Sequence, residues 1–125
     1  MTTNIDLYLT PVELYRLGNA TSPRFDYIRI PRDMPAHELN GIVYVAPGRQ
    51  GVSMLDALGL SRTRADGWIW KIKKGTILPP ELQLIQDHEG HYLLVPTRLM
   101  PLDEFRAALT GLAVHAERFM KLSEV

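Results

Sequence analysis

Residues 67–100, GWIWKIKKGTILPPELQLIQDHEGHYLLVPTRLM, restrict the possible folds more than any other stretch. Trp68, Trp70 and Ile72 alternate with Ile69, Lys71 and Lys73, the two-residue period of a half-buried strand. Lys74-Gly75 and Leu78-Pro79-Pro80 interrupt that run with turn residues. LQLIQ at 82–86 and HYLLV at 91–95 form two further strand-like runs. Between them, Asp87-His88-Glu89-Gly90 suits a hairpin turn. Three successive strands, at least two of them antiparallel, supply a sheet on which the remainder must pack.

Residues 1–11 read as a polar lead-in ending at Pro11. Residues 12–17 (VELYRL) alternate as a short strand carrying Arg16 into an apolar row; an edge strand with Arg16 in solvent fits equally. After the loop GNATSP, residues 25–30 (FDYIRI) alternate as a strand with Phe25, Tyr27 and Arg29 on one side. Residues 31–40 hold too many prolines and polar side chains for a long element. Residues 41–46 (GIVYVA) are the most β-branched run and end in the turn PGRQG. Residues 52–58 have helical spacing in Met54, Leu55 and Leu58, with Ser53 as N-cap and Gly59 closing the helix. Residues 61–66 (SRTRAD) form an exposed, charged loop. From Pro101, Leu102, Phe105, Leu109, Leu112, Ala116 and Phe119 step by three or four, predicting a helix with one face on the core. Pro101, Asp103 and Glu104 suit its first turn, and Gly111 marks a place to bend or end.

A chain of 125 residues, 46% apolar, with 14 basic and 14 acidic side chains, fits one globular domain. Balanced charge provides no global attraction to nucleic acid. No run approaches the ~18 apolar residues of a membrane span, and no basic-then-apolar leader opens the sequence. The absence of Cys removes disulfides, zinc–thiolate sites and a cysteine nucleophile. A cytoplasmic protein is expected.

Several chemistries drop out. No GxGxxG follows a strand and no GxxxxGK[ST] occurs. His37-Glu38 begins like a zinc-protease helix, but Gly41 stands where the second histidine belongs. Asp87, His88, Glu89 and His91 crowd one turn; this pattern describes a polar hairpin, and no metal is expected. Ser53 and His91 with an aspartate suggest a hydrolase triad, but the G-x-S-x-G elbow is missing. Arg16, Tyr15, Ser53, His91 and Tyr92, at strand ends and turns, suit a phosphorylated, planar ligand. Arginine offers a fork to phosphate and tyrosine a face to a ring. Trp68 and Trp70 are expected in the core. Arg62, Arg64, Lys71, Lys73 and Lys74 read as solvated charge, with a nucleic-acid-binding strip as the minority alternative.

An ordered series of motifs carries a family resemblance: Leu14-Tyr15-Arg16; Gly41 to Pro47 followed by Gly51-Val52-Ser53; Gly75-Thr76-Ile77-Leu78-Pro79-Pro80-Glu81-Leu82; Asp87 and His91-Tyr92; then Pro96 and Met100-Pro101. Across residues 13–105 this series resembles the cytoplasm-acting, ADP-ribosyltransferase-like toxins delivered by type VI secretion and neutralised by a small immunity protein. The resemblance implies an α+β fold over residues 1–125, a compact split antiparallel sheet flanked by helices. It implies growth arrest, NAD as substrate without a metal, an unidentified macromolecular target, and a cognate immunity or antitoxin protein. Where the family pattern reads Gly-Gly-Thr-Ser, this chain has Gln50-Gly51-Val52-Ser53, which keeps only the last hydroxyl.

By position, the resemblance makes Ser53 and His91 the functional pair and Arg16 the first-strand arginine of the Arg-Ser-Glu transferases. Glu81 and Glu89 are present, but no motif places either as the third member. In this scheme Arg16 holds the pyrophosphate, Ser53 bonds the nicotinamide ribose, and Tyr15, Tyr44 or Tyr92 meets a ring. His91 orients a ribose hydroxyl or accepts a proton. Cleavage of the nicotinamide–ribose bond passes through an oxocarbenium-like state, as in glycoside cleavage. The alternative is a non-catalytic module that binds protein or nucleic acid.

Overall fold

The computed structural model describes residues 8–30, 32–64 and 66–122; the earlier part of the lead-in, 1–7, lies outside them. The elements are β1 (Leu14–Gly18), β2 (His37–Leu39), β3 (Ile42–Val45), β4 (Val52–Leu55), α1 (Ala57–Arg62), β5 (Gly67–Ile72), β6 (Leu82–His88), β7 (His91–Pro96), β8 (Met100–Pro101), α2 (Leu102–Ala113) and β9 (Glu117–Leu122). Six strands form one sheet in the order β6-β7-β4-β1-β5-β9, and three form a second in the order β2-β3-β8. All pairings are antiparallel.

Residues paired in register share a sheet face. One face of the large sheet carries Leu14, Val52, Met54, Ile72, Leu82, Leu84, Tyr92 and Leu94 into the core. Leu102, Phe105, Ala108, Leu109 and Leu112 of α2 join the same core, with Val45 and Met100 of the small sheet and Phe25, Ile28 and Met34 between β1 and β2. The chain ahead of β1 is more than a lead-in. Leu9 bridges Ile77, and Thr10 exchanges backbone bonds with Gly75 and Thr76.

Four expectations are corrected. Residues 52–55 alternate buried and accessible side chains and extend as β4, so Ser53 sits within a strand and caps nothing. The helix starts later, at Ala57; the Asp56 carboxylate caps it by accepting from the Gly59 N–H at 2.9 Å, and Gly59 falls inside the helix. Residues 25–30 form turns rather than a strand, because Arg24 has φ +57° and the Asp33 carboxylate accepts from the Arg29 N–H. Helix α2 stops at Ala113, and Phe119 belongs to β9, where it is the extra residue of a bulge against β5. Trp68 and Trp70 are only half-buried: Arg118 lies over the Trp68 ring at 4.5 Å, and Trp70 Nε1 donates to the Asn19 carbonyl.

Candidate functional site

Strands β1 and β4 pair at Tyr15↔Leu55 and then part, leaving an opening in the large sheet. Arg16, the next residue of β1, bridges it. Its Nη1 donates to the Ser53 carbonyl at 2.8 Å, while Nε and Nη2 donate to the Arg24 carbonyl at 3.3 and 3.0 Å. Among the described residues no carboxylate lies within ion-pairing distance of this guanidinium. Arg16 is half-buried and lines the cavity. Burial lowers its pKa to about 10, with Asp33 opposing and Arg24 and Arg29 adding to the shift. A guanidinium has five N–H donors; three are committed, so two remain for an anion.

The cavity at this point is lined by Arg16, Tyr27, Arg29, Asp33, Gly51, Val52 and Ser53 and measures about 80 Å³. That is room for a phosphate or sugar group rather than a whole dinucleotide. Arg29 is clamped by Asp33 at 2.9 Å. Burial pushes the Asp33 carboxyl up, but hydrogen bonds and charge from Arg29 outweigh it and hold Asp33 below its usual value. The Arg24 guanidinium lies 4.1 Å from the centre of the Tyr27 ring. A second hollow of about 380 Å³ is lined by Pro35, His37 and Ala46 to Gln50, the residues just ahead of Gly51 in the chain.

Gly51 makes this geometry possible. A Cβ there would fall on the Leu94 carbonyl oxygen of β7 and lie 2.9 Å from Val95 Cγ1, whereas one at Gly48 meets nothing within 4 Å. Gly51→Ala is therefore expected to push β4 from β7 and cost about 1–3 kcal/mol, while Gly48→Ala stays within about 0.5 kcal/mol of the parent. Urea midpoints of the two variants check this.

The sequence-named residues fall in different places. Arg16 and Ser53 share the cavity. His91 lines a separate hollow with Leu55, Gly59, Arg62, Thr63, His88, Glu89 and Gly90. By register it lies on the sheet face of Ser53, diagonally across the β4–β7 pair. His91 Nδ1 is 2.6 Å from Asp87 Oδ1, and its ring stacks on His88 at 4.6 Å. Burial pushes the Asp87 carboxyl up, but the bond to His91 and the nearby imidazoles hold it below its usual value. Tyr15 is 6% exposed and packs against Phe119; Tyr92 is 9% exposed within the core. Tyr44 pairs with His37 and Pro101 in the small sheet. The aromatic ring in the Arg16 cavity is instead that of Tyr27, which the sequence placed in one row with Arg29 without assigning it a role.

A large antiparallel sheet, a smaller sheet and two helices are consistent with an ADP-ribosyltransferase-like domain. Residues 12–120 match the family described as Tse2 ADP-ribosyltransferase toxin, and the chain belongs to that toxin family. No curated protein resembles the chain closely enough to count as a match. Among the described residues no helix is long and apolar enough to cross a membrane.

Proposed function

We propose that this chain, as a single domain, arrests growth by binding NAD in the Arg16 cavity and cleaving its nicotinamide–ribose bond, with nicotinamide leaving and the ADP-ribose passing to a nucleophile of a macromolecular target or to water, in the cytoplasm of a target cell. The observation that carries this reading is the desolvated Arg16 guanidinium, hydrogen-bonded to carbonyls and set over the Phe25 ring, with two donors to spare. A pyrophosphate supplies the missing negative charge, and a bidentate fork fits its oxygens. Arg29 offers a second cation, Tyr27 a ring face, and the hollow beyond Gln50 room for the rest of the dinucleotide. Ser53 lines the cavity and its carbonyl holds Arg16, while its side chain lies on the opposite sheet face, that of His91; on the strength of the family its hydroxyl is assigned to a ribose. His91, oriented through Nδ1 by Asp87, leaves Nε2 to accept a proton. These contacts raise the rate to the extent that they tighten as positive charge develops on the ribose.

Delivery by type VI secretion and neutralisation by a cognate immunity protein belong to the same proposal, on the strength of the family. The test is incubation of the purified chain with NAD labelled in its adenylate half, with and without a cell lysate, alongside Ser53→Ala. Release of nicotinamide, or label appearing on a macromolecule, is expected for the parent and is reduced in the variant. Intact NAD in both incubations, from a chain that arrests growth when expressed, would sink the proposal.

A further inference from the structure

The β6–β7 turn brings together two of the chain's four histidines and an aspartate. We propose that Asp87, His88 and His91 form a binding site for a divalent transition-metal ion of the zinc, cobalt or nickel class. The site shares Asp87 and His91 with the reading above, so an ion there takes the place of the proton-accepting role of His91, while the binding test does not depend on what the Arg16 cavity holds.

Local backbone structure creates the cluster. Gln86 pairs with Tyr92 and His88 with His91, so Asp87 is the extra residue of a bulge. Bulges re-aim a side chain, and here the carboxylate meets both imidazoles. Oδ1 is 2.6 Å from His91 Nδ1, and Oδ2 is 3.2 Å from His88 Nδ1. Gly90 at φ +82° tightens the turn, and its carbonyl accepts from the Asp56 N–H at the start of α1. One ligand atom from each of the three residues lies within 4.8 Å of the others. Ligands on a shared tetrahedral ion sit roughly 3.3 Å apart. His88, whose side chain is 66% exposed, has the freedom to rotate and close that difference.

The donor set selects the ion. Two imidazoles and one carboxylate suit zinc, cobalt, nickel or copper. Calcium needs six to eight oxygen donors, and magnesium prefers an octahedron of oxygens. Three protein ligands leave a position open, and the adjoining hollow of about 270 Å³, with Gly59, Thr63 and Gly90 on its wall, has room for a water there. The sequence crowds Asp87, His88 and His91 into one turn, but spacing alone reads as a polar hairpin because it does not reveal the bulge that turns Asp87 toward both rings.

The full chain, treated with a chelator and desalted, is titrated with cobalt(II) followed by visible absorption and with zinc followed by calorimetry. One ion per chain is expected. His88→Ala and His91→Ala should each weaken binding by more than about tenfold, while His37→Ala and His115→Ala leave it unchanged. Zinc should raise the melting temperature of the parent and not of His88→Ala, because only a site in the folded chain couples binding to stability. Melting curves without metal confirm that each variant folds, and exposed His88 is the substitution least able to disturb the fold. Absence of binding, or binding that survives His88→Ala together with His91→Ala, overturns the proposal.

Discussion

Arg16→Ala is expected to remove growth arrest on expression and to lower NAD turnover by about 10²-fold or more, the scale for loss of a charged group aimed at the reacting phosphates and sugar. Arg16→Lys should rescue little, since an ammonium is a point charge without the fork that spans two oxygens. Folding should survive both changes. Burial lowers the Arg16 pKa to about 10 in the fold, below that of the free side chain, so near neutral pH the charged form is the one folding disfavours. Removing it relieves that cost and loses only three hydrogen bonds to carbonyls. Far-ultraviolet dichroism and the melting temperature should therefore stay near the parent's while turnover collapses. The same pKa gives a pH signature: ligand binding should weaken as pH rises through about 10, where the buried guanidinium gives up its proton. An Arg16→Ala chain that folds and still arrests growth would remove Arg16 from the mechanism.

The strands legible in the sequence are those whose alternation reports burial on a sheet. Residues 12–17, 41–46, 68–73, 82–86 and 91–95 all lie in or around observed strands. The Arg16–Ser53 proximity follows from the family resemblance and not from spacing, because it depends on β1 and β4 parting after a single pair. Residues 52–55 misled because Met54, Leu55 and Leu58 satisfy a helical spacing, while the Val52/Met54 alternation that the sheet obeys spans only four residues. The sequence did contain one unused signal. Asn40-Gly41, with both residues at positive φ, closes the β2–β3 hairpin, and Asn-Gly is a strong two-residue hairpin signal. Tyr27 was hidden for another reason: turns, rather than a strand, bring it and Arg29 to the cavity.

Two phenylalanines that share one sequence stripe should respond unequally to the same substitution. Phe105 is 0% exposed in the core, among the apolar residues of α2. Phe105→Ala leaves a cavity there and is expected to cost about 3–5 kcal/mol, a large part of the 5–15 kcal/mol typical of a whole domain. The melting temperature should fall by about 10–20 °C. Phe119 is 46% exposed on β9, its ring 5.5 Å from Tyr15 with Lys71 Nζ 4.7 Å above it. Phe119→Ala gives up that edge contact and should cost about 1 kcal/mol. A helix continuing from Leu102 through Phe119 would bury both rings and make the two costs alike. Equal losses in the two urea midpoints would therefore refute the β9 edge, whereas a gap of 2 kcal/mol or more supports a chain that leaves the helix at Ala113 and returns to the sheet beside β5. Growth arrest should follow the same split, lost in Phe105→Ala at temperatures where that variant is unfolded and kept in Phe119→Ala.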